Sequence, residues 1–409
     1  MGKNAIVGQS GGPTAVINAS LCGAVQAWKE AGQEGRVYGM LNGIEGFLAD
    51  RVTDLTALTE EELKLLRLTP AAYLGSCRFK LPEDLTDAVY SAVFDNLREM
   101  NIGYFLYVGG NDSMDTVDKL SRFAARTGSD VRFIGIPKTI DNDLALTDHT
   151  PGYGSAAKYI GTSTKEIIRD SNALEYGKGL VTVIEIVGRN AGWLTGAAAL
   201  SKGEDCEGPD LIYLPELAFD VEKFVEKVRG LLEKKQSVVV AVSEGIRLAD
   251  GRYVCELTDG VDYVDAFGHK QLSGTANYLA CRIANELGCK ARGIELSTLQ
   301  RAASHLVSRI DIIEAYQVGG AAVKAADEGD TGEMVILERI SDDPYQSTTD
   351  LRNVHKVSNV EKVVPREWIT EDGTYVTDEF ISYVRPLIQG DVSPVMVDGI
   401  PRYLYHKKK

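Results

Sequence analysis

An α/β fold, built as two Rossmann-like three-layer domains with mainly parallel sheets and a C-terminal extension, is the class this sequence predicts. From residue 5 to about residue 246, short β-branched runs alternate with longer amphipathic stretches, the signature of strands joined by crossover helices. Within that alternation the apolar runs 104–108 and 131–136, each too short for a helix, flank a helix-like stretch at 115–126. They read as a strand, helix, strand unit. Polar and glycine-rich segments follow the carboxyl ends of these runs, where sheets of this kind bind ligands.

Taken in order, strands are expected at 5–7, 36–40, 104–108, 131–136, 180–187, 210–214 and 237–242, and helices at 15–31, 154–171, 221–234 and 271–287. Asp148-His149-Thr150-Pro151-Gly152 concentrates turn formers, which puts a domain change near residue 148. The expected partition is 1–147, 148–298 and 299–409. The last part is more polar, with isolated apolar runs at 334–337 and 356–364, and is expected to pack back on the core. No low-complexity segment or short repeat suggests a solenoid or propeller.

With 409 residues, 44% hydrophobic and 25% charged, the chain can bury a sizeable core in two or three domains. No apolar run reaches the roughly 18 to 20 residues that span a bilayer, and no charged-then-apolar leader opens the chain. A cytoplasmic protein without membrane partners is expected. Six scattered cysteines lack C-x-x-C or zinc-finger spacing and read as reduced structural thiols. The net charge of -15 opposes nonspecific nucleic-acid binding, so an anionic ligand requires a local cationic pocket. Lys407, Lys408 and Lys409 read as a solvated tail.

Two segments carry the chemistry. Gly109-Gly110-Asn111-Asp112-Ser113 follows the run 104–108, and Pro137-Lys138-Thr139-Ile140-Asp141-Asn142-Asp143 follows the run 131–136. Three carboxylates and a lysine thus collect past two strand ends, a phosphoryl-transfer site in outline. Carboxylates recruit magnesium, a lysine neutralises phosphate oxygens, and another carboxylate accepts the proton of the attacking hydroxyl. A lone Asp-x-Asp is also satisfied as a turn that caps the next element. Lys138 and Asp112 favour the chemical reading.

Gly8-Gln9-Ser10-Gly11-Gly12-Pro13-Thr14 follows a strand and opens a helix, a place where backbone amides and the helix dipole hold anions, although such turns are as often plain structure. No lysine stands where a Walker A loop needs one, so a P-loop ATPase is disfavoured. Gly152 to Ala157 fits the loose G-x-G-x-x-A string but follows a turn. Asp141-Asn142-Asp143 begins like a calcium loop, but Leu146 and Gly152 stand where glycine and glutamate are required. Neither dinucleotide binding nor an EF-hand is expected. Gly188-Arg189-Asn190-Ala191-Gly192 and Ser243-Glu244-Gly245 are further strand-end loops. Arg189 offers a fork for phosphate and Glu244 an acceptor for sugar hydroxyls, and both residue types also serve in surface ion pairs. Arg292 and Gln300-Arg301 add cationic reach.

Together these segments resemble the phosphofructokinase family, in particular its pyrophosphate-dependent branch, from about residue 5 through 320. The ordered matches are Ser10 to Thr14, Leu74-Gly75-Ser76-Cys77-Arg78, Gly110 to Ser113, Pro137 to Asp143, Val187-Gly188-Arg189, Glu244-Gly245 and Leu299-Gln300-Arg301. The resemblance implies the phosphofructokinase fold, with Asp141 as the base that deprotonates the C1 hydroxyl of fructose 6-phosphate. Lys138 and Asp143 would assist. Magnesium is the implied cofactor, held by Asp112 and Asp143. Gly11, Gly12, Arg78, Gly110, Asp112 and Ser113 would line the donor side, and Thr139, Gly188, Arg189, Glu244, Arg292 and Arg301 the sugar phosphate. An arginine like Arg292 comes from a neighbouring subunit in this family, which implies a homodimer or homotetramer.

In ATP-dependent relatives the places of Asp112 and Lys138 are typically both glycine. A carboxylate there repels the α-phosphate of a nucleotide, whereas a lysine pairs with pyrophosphate, so pyrophosphate is the expected donor. The chain departs from the family at Asn111, where most relatives have a magnesium-binding aspartate. Leu296-Ser297-Thr298 replaces a glycine and an aromatic or histidine, and Lys178 is the nearest cation to a missing arginine before residue 180. The alternatives are an ATP-dependent enzyme of the same fold and, motivated by Asn111, a noncatalytic sugar-phosphate-binding subunit. Sedoheptulose 7-phosphate presents the same ketose end and distal phosphate as fructose 6-phosphate.

Overall fold

The computed structural model describes residues 2–174, 177–257 and 272–406. The expected lysine tail, 407–409, and the first residue of the expected helix 271–287 lie outside them. In chain order the strands of the two larger sheets are β1 (Asn4–Gln9), β2 (Val37–Met40), β3 (Val52–Asp54), β4 (Ile102–Gly109), β5 (Arg132–Pro137), β6 (Leu180–Ile186), β7 (Leu211–Tyr213), β8 (Ser237–Ser243), β9 (Lys290–Glu295), β10 (Glu333–Asp342) and β11 (Tyr345–Asn353). The chain divides into two compact units. One is Met1–Ser155 with Arg301–Glu361 and Gln389–Lys409, and the other is Ala156–Gln300 with Lys362–Ile388. The stretch 299–409 is thus shared between both units rather than forming one appended part.

The first unit is a three-layer α/β sandwich. Its seven-stranded sheet has the order β11-β10-β5-β4-β1-β2-β3, with parallel pairing from β10 through β2 and antiparallel strands at both edges. Period-2 alternation sorts the two faces. Ala5, Val7, Leu106, Val108, Ile134 and Ile136 face helices Ile17–Glu30 and Arg309–Glu328, while Ile6, Phe105, Tyr107 and Phe133 face helices Ala88–Glu99 and Asn111–Thr127. The first two helices pack backbone to backbone. A Cβ on Gly23 would lie 2.0 Å from the carbonyl oxygen of Tyr316, and one on Gly319 would lie 2.0 Å from that of Ser20.

Sequence periodicity locates most of this sheet but misses its far side. β10 pairs in parallel with β5 through Glu333↔Ile134 and Met334↔Gly135, so the run 334–337 is sheet interior. β11, with alternating half-buried and exposed residues and few apolar ones, is an edge strand whose partner is near in sequence but whose pattern is polar. Helix Ile17–Glu30 begins two residues later than expected.

The second unit holds the all-parallel sheet β7-β8-β6-β9. Val181, Val183, Val238, Val240 and Val242 pack on Phe224, Val225 and Val228 of helix Val221–Leu232 and on Ala276, Leu279 and Ile283 of helix Thr275–Leu287. Trp193, Trp368, Phe380 and Tyr383 form a ring cluster elsewhere in this unit. No helix among the described residues is long and apolar enough to cross a membrane. None of the six cysteines is in a disulfide.

Candidate active site

The chain order of the first sheet reverses between β1 and β4, parallel neighbours whose following helices lie on opposite faces. Loops that leave such a pair diverge and open a crevice past the carboxyl ends of the strands. On the β1 side, Gly11 takes a left-handed φ of 73°, and its carbonyl accepts a 2.6 Å hydrogen bond from Ser76 Oγ. Lys138, in the loop after β5, donates from Nζ to the Gly12 carbonyl at 2.7 Å. A Cβ on Gly12 would lie 3.3 Å from Nη1 of Arg301, so two cations approach the backbone of one loop.

Lys138 is 2% exposed. Burial disfavours its charge and brings its pKa down to about 8, while Asp141 and Asp143 oppose that shift and Arg301 and Arg78 reinforce it. Burial, and then Arg78, also lowers the pKa of Arg301, with Asp141 opposing. Nε of Arg301 is buried without a hydrogen-bond acceptor among the described residues. Three cations and two carboxylates therefore share one field, and an anion entering it relieves the mutual repulsion of the cations.

Asp141 is set by its own turn. Thr139 Oγ1 donates to Asp141 Oδ2 at 3.2 Å and lies 3.1 Å from the Asp141 amide. Asn142, left-handed at φ 55° and buried, accepts from the Thr150 amide at 3.1 Å, and Thr150 Oγ1 returns a bond to the Thr139 carbonyl. The acidic motif is thus a closed loop, and its turn, the alternative to a chemical role, is also what holds a carboxylate in place.

On the β4 side, Gly110 precedes helix Asn111–Thr127 in an extended conformation, Asp112 is half-buried in the first turn, and Ser113 is buried. Asn111 is engaged at both ends of its amide: Nδ2 donates to the Val360 carbonyl at 2.9 Å, and Oδ1 accepts from the Asn359 amide.

In the second unit, Ser243 donates from Oγ to the Gly188 carbonyl and lies 3.2 Å from the Gly245 amide. A Cβ on Gly245 would sit 2.0 Å from the Arg189 carbonyl oxygen. These contacts lock the loops after β6 and β8 together and bring Gly188, Arg189 and Glu244 to one place. Gln300, which sequence reasoning treats only as a neighbour of Arg301, accepts the Val187 amide at 3.1 Å and holds the start of the same loop.

The structure gathers Gly11, Gly12, Arg78, Lys138, Thr139, Asp141, Asp143 and Arg301 in the first unit. Arg301, expected against the sugar phosphate, lies beside the glycine loop. Arg292, on β9 of the second unit, has its guanidinium bonded to Thr182 at 3.1 Å and to Asp170 at 2.7 Å. Sequence reasoning missed His149. Its buried ring lies between Asp148 at 2.8 Å and Glu314 at 2.7 Å, while Asp311 accepts the amides of Gly152 and Ser155, fastening the return of the acidic loop to helix Arg309–Glu328.

A three-layer α/β unit with a desolvated lysine and paired carboxylates beside its switch point defines a phosphotransferase of the phosphofructokinase type. The phosphofructokinase family model matches residues 4–326, and the chain belongs to that family. It is 41% identical over 401 residues to the pyrophosphate--fructose 6-phosphate 1-phosphotransferase of Halomonas elongata, covering 98% of this chain and 95% of the relative. It is 40% identical over 404 residues to the protein of the same name from Methylococcus capsulatus, with the same coverage. The crystal structure of the pyrophosphate-dependent phosphofructokinase of Nitrosospira multiformis superimposes with a TM-score of 0.89 at 38% identity, covering 99% of this chain and 96% of that one.

Proposed function

We propose that this chain reversibly transfers a phosphoryl group from pyrophosphate to the C1 hydroxyl of fructose 6-phosphate, giving fructose 1,6-bisphosphate and phosphate. The observation that carries this reading is the buried Lys138, fixed on the Gly12 carbonyl beside Asp141 and Asp143. A desolvated cation at that place suits a compact polyanion, and pyrophosphate offers no nucleoside whose binding could substitute for charge. Asp112 in the first helical turn adds repulsion against the α-phosphate of a nucleotide.

Asp141, oriented by Thr139, takes the proton of the attacking hydroxyl. Lys138 and Arg78 neutralise the transferring phosphoryl group, with Gly11, Gly12, Gly110 and Ser113 along the donor. In the second unit Gly188, Arg189 and Glu244 hold the sugar phosphate, with Arg292 contributed by a neighbouring subunit of a homodimer or homotetramer.

Asp112 and Asp143 would hold magnesium, which when bound offsets charge on the donor. The donor set fits. Magnesium keeps to one or two carboxylates plus substrate phosphates, and two carboxylates are what these loops supply. Asn111 is committed to Asn359 and Val360 and is not counted as a ligand. Six free cysteines suit a reducing compartment such as the cytoplasm.

Phosphorus NMR of fructose 6-phosphate, magnesium and pyrophosphate with the purified protein tests the reaction. A new C1 phosphomonoester with one equivalent of phosphate is expected. Phosphate released without sugar ester would contradict it.

A further inference from the structure

The segment around residue 360 belongs to no part of the chemistry above, yet it is fastened across it. Asn111, the first residue of helix Asn111–Thr127, binds both the Asn359 amide and the Val360 carbonyl through its side chain. Asn359, held at a left-handed φ of 61°, donates from Nδ2 to Asp115 Oδ1 at 3.1 Å, one turn further along the same helix. Glu361 then forms an antiparallel bridge with Leu144, the residue immediately after Asp143. The segment therefore spans from the start of helix Asn111–Thr127, beside Asp112, to the loop after β5, beside Asp143.

A second segment is tied in through the same carboxylate. Asp115 Oδ2 receives Lys119 Nζ at 2.7 Å, and that 2%-exposed lysine also binds the Leu81 carbonyl at 3.1 Å and Glu83 at 2.7 Å. Asn359 and Lys119 thus meet on one aspartate, tying segments 81–83 and 359–361 over the first two turns of the helix.

We propose that segment 359–361 is a donor-length wall: pinned by Asn111 and Asn359 and bridged to Leu144, it admits an inorganic diphosphate and excludes longer phosphoanhydrides, whether inorganic tripolyphosphate or a nucleoside triphosphate. This rests on the donor reading above and adds a steric determinant to the electrostatic one at Asp112 and Lys138. The site gains discrimination by obstructing the longer competitor rather than by tightening its hold on the shorter ligand.

Calorimetric titration with magnesium pyrophosphate and magnesium tripolyphosphate tests it on wild type, Asn359→Gly and Asn111→Ala. Glycine keeps the left-handed backbone while removing the bond to Asp115, so Asn359→Gly is the variant expected to fold unchanged. Wild type is expected to bind pyrophosphate at least about tenfold more tightly than tripolyphosphate, with the variants narrowing that ratio through a gain for tripolyphosphate alone. A ratio unchanged in the folded variants, affinities that fall together, or a wild type that binds both equally would overturn the wall. Turnover of fructose 6-phosphate with pyrophosphate, read on the same wild-type samples, reports separately on the donor reading.

Discussion

Lys138 Nζ donates to the carbonyl of Gly12 at 2.7 Å, joining the loop after β5 to the loop after β1 across the place where the order of the sheet reverses. This lysine is buried and charged at neutral pH, and the carboxylates of Asp141 and Asp143 are what keep it so. A cation placed at such cost suits a function that uses the charge.

That cost is measurable. In the unfolded chain Lys138 titrates near 10.5, and in the folded protein near 8, because burial disfavours its charged form. Between these values the unfolded state holds the proton and the folded state does not, so this residue makes stability rise with pH from about 8 to about 10.5. Lys138→Met removes the penalty. At pH 7 it is expected to stabilise the protein by about 1–3 kcal/mol in urea unfolding while abolishing turnover with pyrophosphate.

His149 has the opposite sign. Burial opposes its charge, but Glu314 and Asp148 outweigh that and raise its pKa to about 9, with Arg339 and Tyr345 completing the cluster. Its contribution is fully present below pH 6.5 and is lost as pH rises through 9. His149→Gln leaves Glu314 buried without its ion partner, and a loss of about 3–5 kcal/mol is expected at pH 7. Chemical unfolding of the two single variants between pH 6 and 10 separates the two windows.

Asp141→Asn retains the turn with Thr139 but removes the carboxylate proposed as the base. Turnover should fall by about 10²–10⁴-fold, while calorimetric binding of fructose 6-phosphate stays near the wild-type value. An active Asp141→Asn protein would require another base.

Gly245→Ala forces a methyl group within 2.0 Å of the Arg189 carbonyl oxygen. The loops after β6 and β8 must separate, at about 1–3 kcal/mol. The KM for fructose 6-phosphate is expected to rise well beyond any change in that for pyrophosphate, which steady-state kinetics with each substrate varied in turn will read.

The strand cores and the loops that follow them were legible because both are local: a β-branched run marks β5, and the residues after it are Lys138 to Asp143 wherever the rest of the chain goes. Long-range partners left no such trace. His149 meets Glu314 across 165 residues, and Asn111 meets Val360 across 249. β9, Lys-Ala-Arg-Gly-Ile-Glu, is an edge strand without an apolar run, so the placement of Arg292 on a strand escapes a periodicity argument. Asn111 shows the limit most clearly. Its neighbours suggested a weakened metal ligand, whereas its amide holds a segment that the sequence treats as polar extension.

The most direct test of the donor assignment is fructose 1,6-bisphosphate formation by purified, nucleotide-free protein with fructose 6-phosphate and magnesium, with pyrophosphate and ATP supplied side by side. Turnover with pyrophosphate and none above background with ATP is the predicted result. Turnover with ATP alone would retain Asp141 as the base but contradict the roles given to Asp112 and Lys138.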